Sequence, residues 1–168
     1  MRTVVLCAIF MAGAFAQGAR PSPPAKASTT INGKTITIDY SSPSMRGRKI
    51  FGGLVPYGEV WRAGANEATT LKTDADLKLG DLNVPKGSYT LWVLPQADSW
   101  MLIVNKQTGQ WGTDHDASQD FGKTKMTLSK APSAIEKFEI KLDKSTGNAG
   151  KLTMEWENTV ATVPFTVK

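Results

Sequence analysis

The chain has 168 residues, enough for one domain with a substantial core. Hydrophobic residues make up 40% and charged residues 21%, which excludes disorder for the bulk of the chain. The formal net charge is +5, but the lysines are scattered singly, which argues against a nucleic-acid partner, since that needs a clustered basic face.

The first sixteen residues read as a secretory signal peptide. Arg2 supplies the positive start, Val4 to Phe15 the apolar run, and Ala14-Phe15-Ala16 the small-x-small cleavage site. A short N-terminal anchor is the alternative, but the run is shorter than the roughly 20 residues a span requires. Cleavage after Ala16 would remove Cys7, the only cysteine, and with it any disulfide, cysteine zinc site or thiol nucleophile. It would also remove Arg2, leaving 19 basic against 15 acidic residues, a charge of +4. Residues 17–27 hold Pro21, Pro23 and Pro24 and read as a tether with little structure. The expected organisation is a leader over 1–16, a Pro-rich tether over 17–27 and one domain over 28–168, with no membrane span after cleavage.

From there the pattern has period two. Asn32-Gly33 between short apolar runs is a strong hairpin signal, and Ile36, Ile38 and Tyr40 share one face of the strand that follows. Leu79-Gly80-Asp81-Leu82 suits a type II′ turn, and Pro85-Lys86-Gly87 makes a third turn. Tyr89–Leu94 and Trp100–Val104 are apolar on both faces, which places them centrally, joined by a hairpin over Pro95 to Ser99. Alternation returns at Phe138, Ile140 and Leu142, at Leu152, Met154 and Trp156, and at Val163, Phe165 and Val167. Turns are expected at Gly147 to Gly150 and at Glu157-Asn158. No apolar run holds helical spacing. These signals predict an all-β antiparallel sandwich of about eight to ten strands, its strand order left open between jelly-roll-like and immunoglobulin-like.

Ile50 to Thr70 breaks the pattern, gathering glycines, aromatics, an arginine, two glutamates and an asparagine. Together with YSSPSMRGRK before it, GSYTLWVLP, IVNKQTGQWG and the closing WENT, this stretch resembles a bacterial secreted family known as domain of unknown function 2911. The resemblance covers most of Thr30 to Lys168. It implies an exported single-domain β-sandwich and brings no established activity. The chain departs from the family pattern after Trp111-Gly112, where Thr113-Asp114-His115-Asp116 stands in place of an aromatic.

The chain has no phosphate loop, HExxH or G-x-S-x-G. Asp114, Asp116, Ser118 and Asp120 repeat oxygen side chains at the rhythm of a calcium loop. Gln119 replaces the turn glycine, however, and Lys125 the distal glutamate. Asp114, His115, Asp116 and Asp120 are thus weak metal candidates beside a plain acidic loop, and no cofactor is expected. Glu59 to Thr70 is the better candidate. Arg62 follows Val60 and Trp61, so it should be partly buried and paired with Glu59 or Glu67. In one reading that pair only pins an irregular connection. In the other, Arg62 binds a small anionic ligand or envelope component, Asn66 orients it, and Tyr57 and Trp61 form the wall. Arg46-Gly47-Arg48-Lys49 reads as a solvated loop or a contact with an anionic envelope component. A binding module is favoured over an enzyme. The alternative is an extracytoplasmic hydrolase using the Glu59 and Glu67 carboxylates or a metal at Asp114 to Asp120.

Intact-mass measurement of protein from its native host tests the leader. The expected chain starts at Gln17 or within a few residues of it, and one retaining Met1 would contradict the reading.

Overall fold

β-branched and aromatic residues in alternation favour extended backbone. The computed structural model describes residues 20–168 and carries nine strands, with no α-helix among the described residues. The expected leader, its cleavage site and Cys7 lie outside the described residues. The strands are β1 (Pro24–Ile31), β2 (Lys34–Ser41), β3 (Thr70–Thr73), β4 (Leu77–Leu79), β5 (Leu82–Val84), β6 (Gly87–Pro95), β7 (Trp100–Asn105), β8 (Asp120–Lys144) and β9 (Ala149–Val167). All pair antiparallel in one sheet of order β1-β2-β3-β6-β7-β8-β9-β4-β5, which does not close into a barrel.

The 25-residue β8 turns this sheet into a sandwich. It pairs with β7 from Asp120 to Met126 and with β9 from Thr127 to Lys144. Its register with β9 shifts between Lys130 and Ile135 and again before Glu139. Such bulges bend a strand, and Pro132, which cannot donate to a ladder, falls inside the first of them. The two halves of the sheet then share one core. Ile36, Ile38, Leu91, Val93, Leu102 and Val104 come from the first half, and Phe138, Ile140, Leu152, Trp156, Val163 and Phe165 from the second.

Local turn chemistry fixes the hairpins. Asn32 (φ 52°) and Gly33 (φ 73°) both take positive φ, as a type I′ turn between β1 and β2 demands. Gly80 (φ 56°) opens the β4–β5 turn, and Gln96 to Ser99 closes the β6–β7 hairpin. As predicted, β6 and β7 lie centrally and are buried on both faces. Behind the main core, Trp92, Ile103 and Ala68 form a second cluster, and the His115 ring lies 4.9 Å from that of Trp92.

Two expectations are corrected. The segment 17–27 is not a slack tether throughout, because β1 begins at Pro24 and pairs with β2 along its whole length. The Ser42 N–H also donates to the Pro23 carbonyl at 2.9 Å. Glu157-Asn158 is not a turn but part of a continuous β9, lying opposite the extra residues of β8, with Glu157 at φ 55°. Among the described residues no helix is long and apolar enough to cross a membrane.

Trp92 is 1% exposed and donates its indole N–H to Thr90 Oγ1 at 3.0 Å. Trp92→Ala should cost roughly 3–5 kcal/mol in chemical denaturation; a loss below about 1 kcal/mol would show that the second cluster contributes little.

Candidate functional site

The irregular segment between β2 and β3 is fastened to the sheet in three places. At its start, Ser42 Oγ donates to the Phe138 carbonyl at 2.7 Å, and Met45 N donates to the Glu136 carbonyl at 2.8 Å. Next, the Glu157 carboxylate accepts the backbone N–H groups of Ile50 (3.1 Å) and Phe51 (3.2 Å). The positive-φ backbone at Glu157 therefore serves the loop, because charged acceptors on backbone donors are among the stronger hydrogen bonds. Finally, Trp61 exchanges both backbone hydrogen bonds with Val93 at 2.8 Å, and its ring enters an aromatic cluster with Phe51, Phe138 and Trp156.

Arg62 follows this clamp directly. The turn after it has uncommon backbone angles: Ala63 at φ 48°, Gly64 at φ 155° and Asn66 at φ 59°. Asn tolerates the left-handed region, but Ala enters it at a cost, so the surroundings must hold it there. Thr69 Oγ1 donates to the Ala63 carbonyl at 2.8 Å, and the Trp61 indole N–H donates to the Gly64 carbonyl at 3.2 Å. A side chain on Gly64 would meet the Ser41 carbonyl oxygen at 2.9 Å.

Arg62 lines a cavity of about 310 Å³. Ser22, Arg48, Arg62 and Asn66 form its polar side, and Leu54, Val55, Trp61 and Trp156 its apolar side. No carboxylate and no histidine lines it. The Arg62 Nε is buried without a hydrogen-bond partner, and among the described residues the guanidinium forms no ion pair. Burial alone lowers its pKa from the ordinary arginine value. Gly64 and Ala65, in the turn that follows Arg62, also line the cavity. A half-buried cation with no carboxylate beside it is suited to hold an anion.

The expected pairing of Arg62 is overturned. Glu67 is exposed and pairs with Arg20 at 3.0 Å. Its own backbone N–H, then the Arg20 side chain, hold its carboxyl below the usual range. Glu59 and Tyr57 are exposed and do not line the cavity. Glu67 lines a separate cavity with Asp39 and Tyr40. The structure thus brings together Trp61, Arg62 and Asn66 and leaves Tyr57, Glu59 and Glu67 outside. Asn66 uses its amide nitrogen on the Ser22 carbonyl (3.1 Å) and Ser41 Oγ (3.3 Å), so it holds the wall in place.

Sequence reasoning missed Ser22, Gly112 and Trp156, and it named Arg48 only within the basic run, apart from the Arg62 site. Arg48 was signalled by its basic run, and its Nε and Nη2 donate to the Met45 (2.9 Å) and Ser44 (2.7 Å) carbonyls. Gly112 was signalled only by the Trp-Gly pair.

The acidic loop satisfies itself. Asp120 Oδ1 contacts His115 Nε2 at 2.9 Å and accepts from Asn105 Nδ2 at 2.8 Å. Asp116 accepts from the Ser118 hydroxyl and backbone N–H, which depress its pKa in that order. Asp114 is exposed. No cluster of three or more metal-ligating side chains occurs among the described residues.

Gly112 fixes where Arg62 lies. A Cβ there would fall 1.9 Å from Arg62 Cδ and 2.5 Å from the Asn66 carbonyl oxygen. The second contact is backbone and cannot simply swing aside. Gly112→Ala should cost about 1–3 kcal/mol by denaturation midpoint at unchanged slope, and a neutral result would mean that Arg62 is not held there.

No curated protein and no solved structure matched the chain. Residues 22–165 match the family described as Protein of unknown function (DUF2911). That span runs from the cavity wall at Ser22 through all but the last two residues of β9. A match of this extent shows that the chain belongs to the DUF2911 family.

Proposed function

We propose that this is an exported binding module that takes a small anionic ligand in the Arg62 cavity. One observation carries the reading: a half-buried guanidinium with no carboxylate partner lines a cavity free of acidic side chains. An unpaired charge removed from water is unfavourable unless something compensates it. Here the compensation is left to the ligand. At about 310 Å³ the cavity lies at the small end of ligand sites.

The lining supports a reading of binding without chemistry. General acid–base catalysis needs a group that exchanges protons near neutral pH, and no histidine, aspartate or glutamate faces this space. The proposed export rests on the apolar run ending at Ala14-Phe15-Ala16. In an extracytoplasmic setting, the Arg46 to Lys49 run beside the cavity would draw anionic solutes or envelope components toward its mouth.

Calorimetric titration with benzoate, phenyl phosphate and neutral benzyl alcohol tests the reading. At least one anion should bind, the alcohol should not, and Arg62→Met should abolish binding. The Arg62→Met fold should stay within about 1 kcal/mol of the parent, because no partner is stranded. Equal binding of the alcohol, or a variant that still binds the anion, would contradict the proposal.

A further inference from the structure

Resting on the anion-binding reading, we infer that the ligand is a phosphate monoester with a small flat or apolar substituent, recognised through Arg48 and Arg62 together. The charge balance points this way. Two guanidiniums and no carboxylate line the cavity, so its side chains carry a formal charge of +2. A carboxylate would leave one of those charges without a counterpart, whereas a phosphate dianion matches both.

Donor geometry agrees. Arg48 is held by two carbonyls of its own loop, which fixes its plane, and its Nη1 has no acceptor among the described residues. Arg62 Nε is buried against Gly112, and its two Nη groups make no hydrogen bond among the described residues, so they form the fork that a ligand would meet. Planar guanidiniums pair in fork fashion with phosphate oxygens. The three terminal oxygens of a monoester can accept from both guanidiniums at once, whereas a carboxylate offers only two oxygens.

The other half of the cavity supplies the second part of the inference. Trp61 stacks on the buried Trp156 at 6.0 Å and 20°, Val55 is buried beside them, and half-buried Trp61 with Leu54, 49% exposed, forms the open apolar surface. Inorganic phosphate would leave Leu54 and the open part of Trp61 in water, while a ring or short chain would cover them.

The ligand's own ionisation tests the class. The second proton of a phosphate monoester leaves near pH 6, whereas a carboxylate is ionised well below that. No lining side chain of the cavity titrates between pH 5 and 8, since it holds neither histidine nor acid. Raising the pH from about 5 to about 7.5 should therefore tighten phenyl phosphate about tenfold and leave benzoate unchanged. At the higher pH phenyl phosphate should outbind benzoate about tenfold, and inorganic phosphate should bind more weakly than phenyl phosphate. Arg48→Met should remove the preference over benzoate, and Arg48→Lys, which keeps the charge, should retain part of it.

Benzoate binding as tightly as phenyl phosphate at both pH values overturns the phosphate class while leaving an anion site. Inorganic phosphate binding as tightly as phenyl phosphate overturns the apolar half. If none of the three binds, the anion-binding reading itself fails. Vesicles of phosphatidylcholine with and without phosphatidic acid identify the source. Sedimentation of the protein with the phosphatidic acid vesicles alone, lost in Arg62→Met, makes the monoester a lipid headgroup. Soluble binding with no sedimentation makes it a free organic phosphate.

Discussion

Everything at the candidate site depends on where Trp61 is held. Its backbone is pinned to Val93, on a strand near the middle of the sheet, and its ring is locked among Phe51, Phe138 and Trp156. Aromatic rings packed edge-to-face and stacked bury large areas and tolerate few alternative arrangements. The next residue has little freedom left. Arg62 leaves the clamp, passes over Gly112 and enters a cavity whose other walls come from distant parts of the chain.

That rigidity explains how an uncompensated charge persists. Left to relax, a half-buried arginine would swing to water or to a carboxylate. Glu67 is only five positions away in sequence, yet its side chain pairs with Arg20 instead. The backbone between them adopts positive φ at Ala63, Gly64 and Asn66, and so separates two groups that sequence proximity would pair. Strain of this kind concentrates where geometry serves something other than stability. Arg20 to Pro23 takes part as well. It is tied by the Arg20–Glu67 pair, by Asn66 on the Ser22 carbonyl and by Arg46 Nη2 on the Pro21 carbonyl at 3.0 Å.

The strands were legible because their signals are local. Asn-Gly at 32–33 demands two positive φ values, and the doubly apolar runs at Tyr89 and Trp100 must be covered on both faces. The site was legible only in part. Trp61, Arg62 and Asn66 stood out through local composition, but their partners did not. Glu157 reaches Ile50 and Phe51 across more than a hundred residues, and the positive φ at its position reads as a turn because both interrupt alternation. Proline-rich residues 21–24 suggested a slack tether, although β1 starts within them. Tyr57, Glu59 and Glu67 carry the right chemistry but face solvent outside the cavity. Residue type names candidates, and only the long-range ladder decides which of them meet.

The central claim is that Arg62 is a sheltered guanidinium awaiting a partner. An arginine Nε–Hε correlation spectrum tests it directly, with the resonance assigned by its loss in Arg62→Lys. The account predicts that this signal is protected from exchange with water in the free protein and moves when phenyl phosphate is added. A signal exchanging as fast as that of free arginine, or one that no anion displaces, would contradict it.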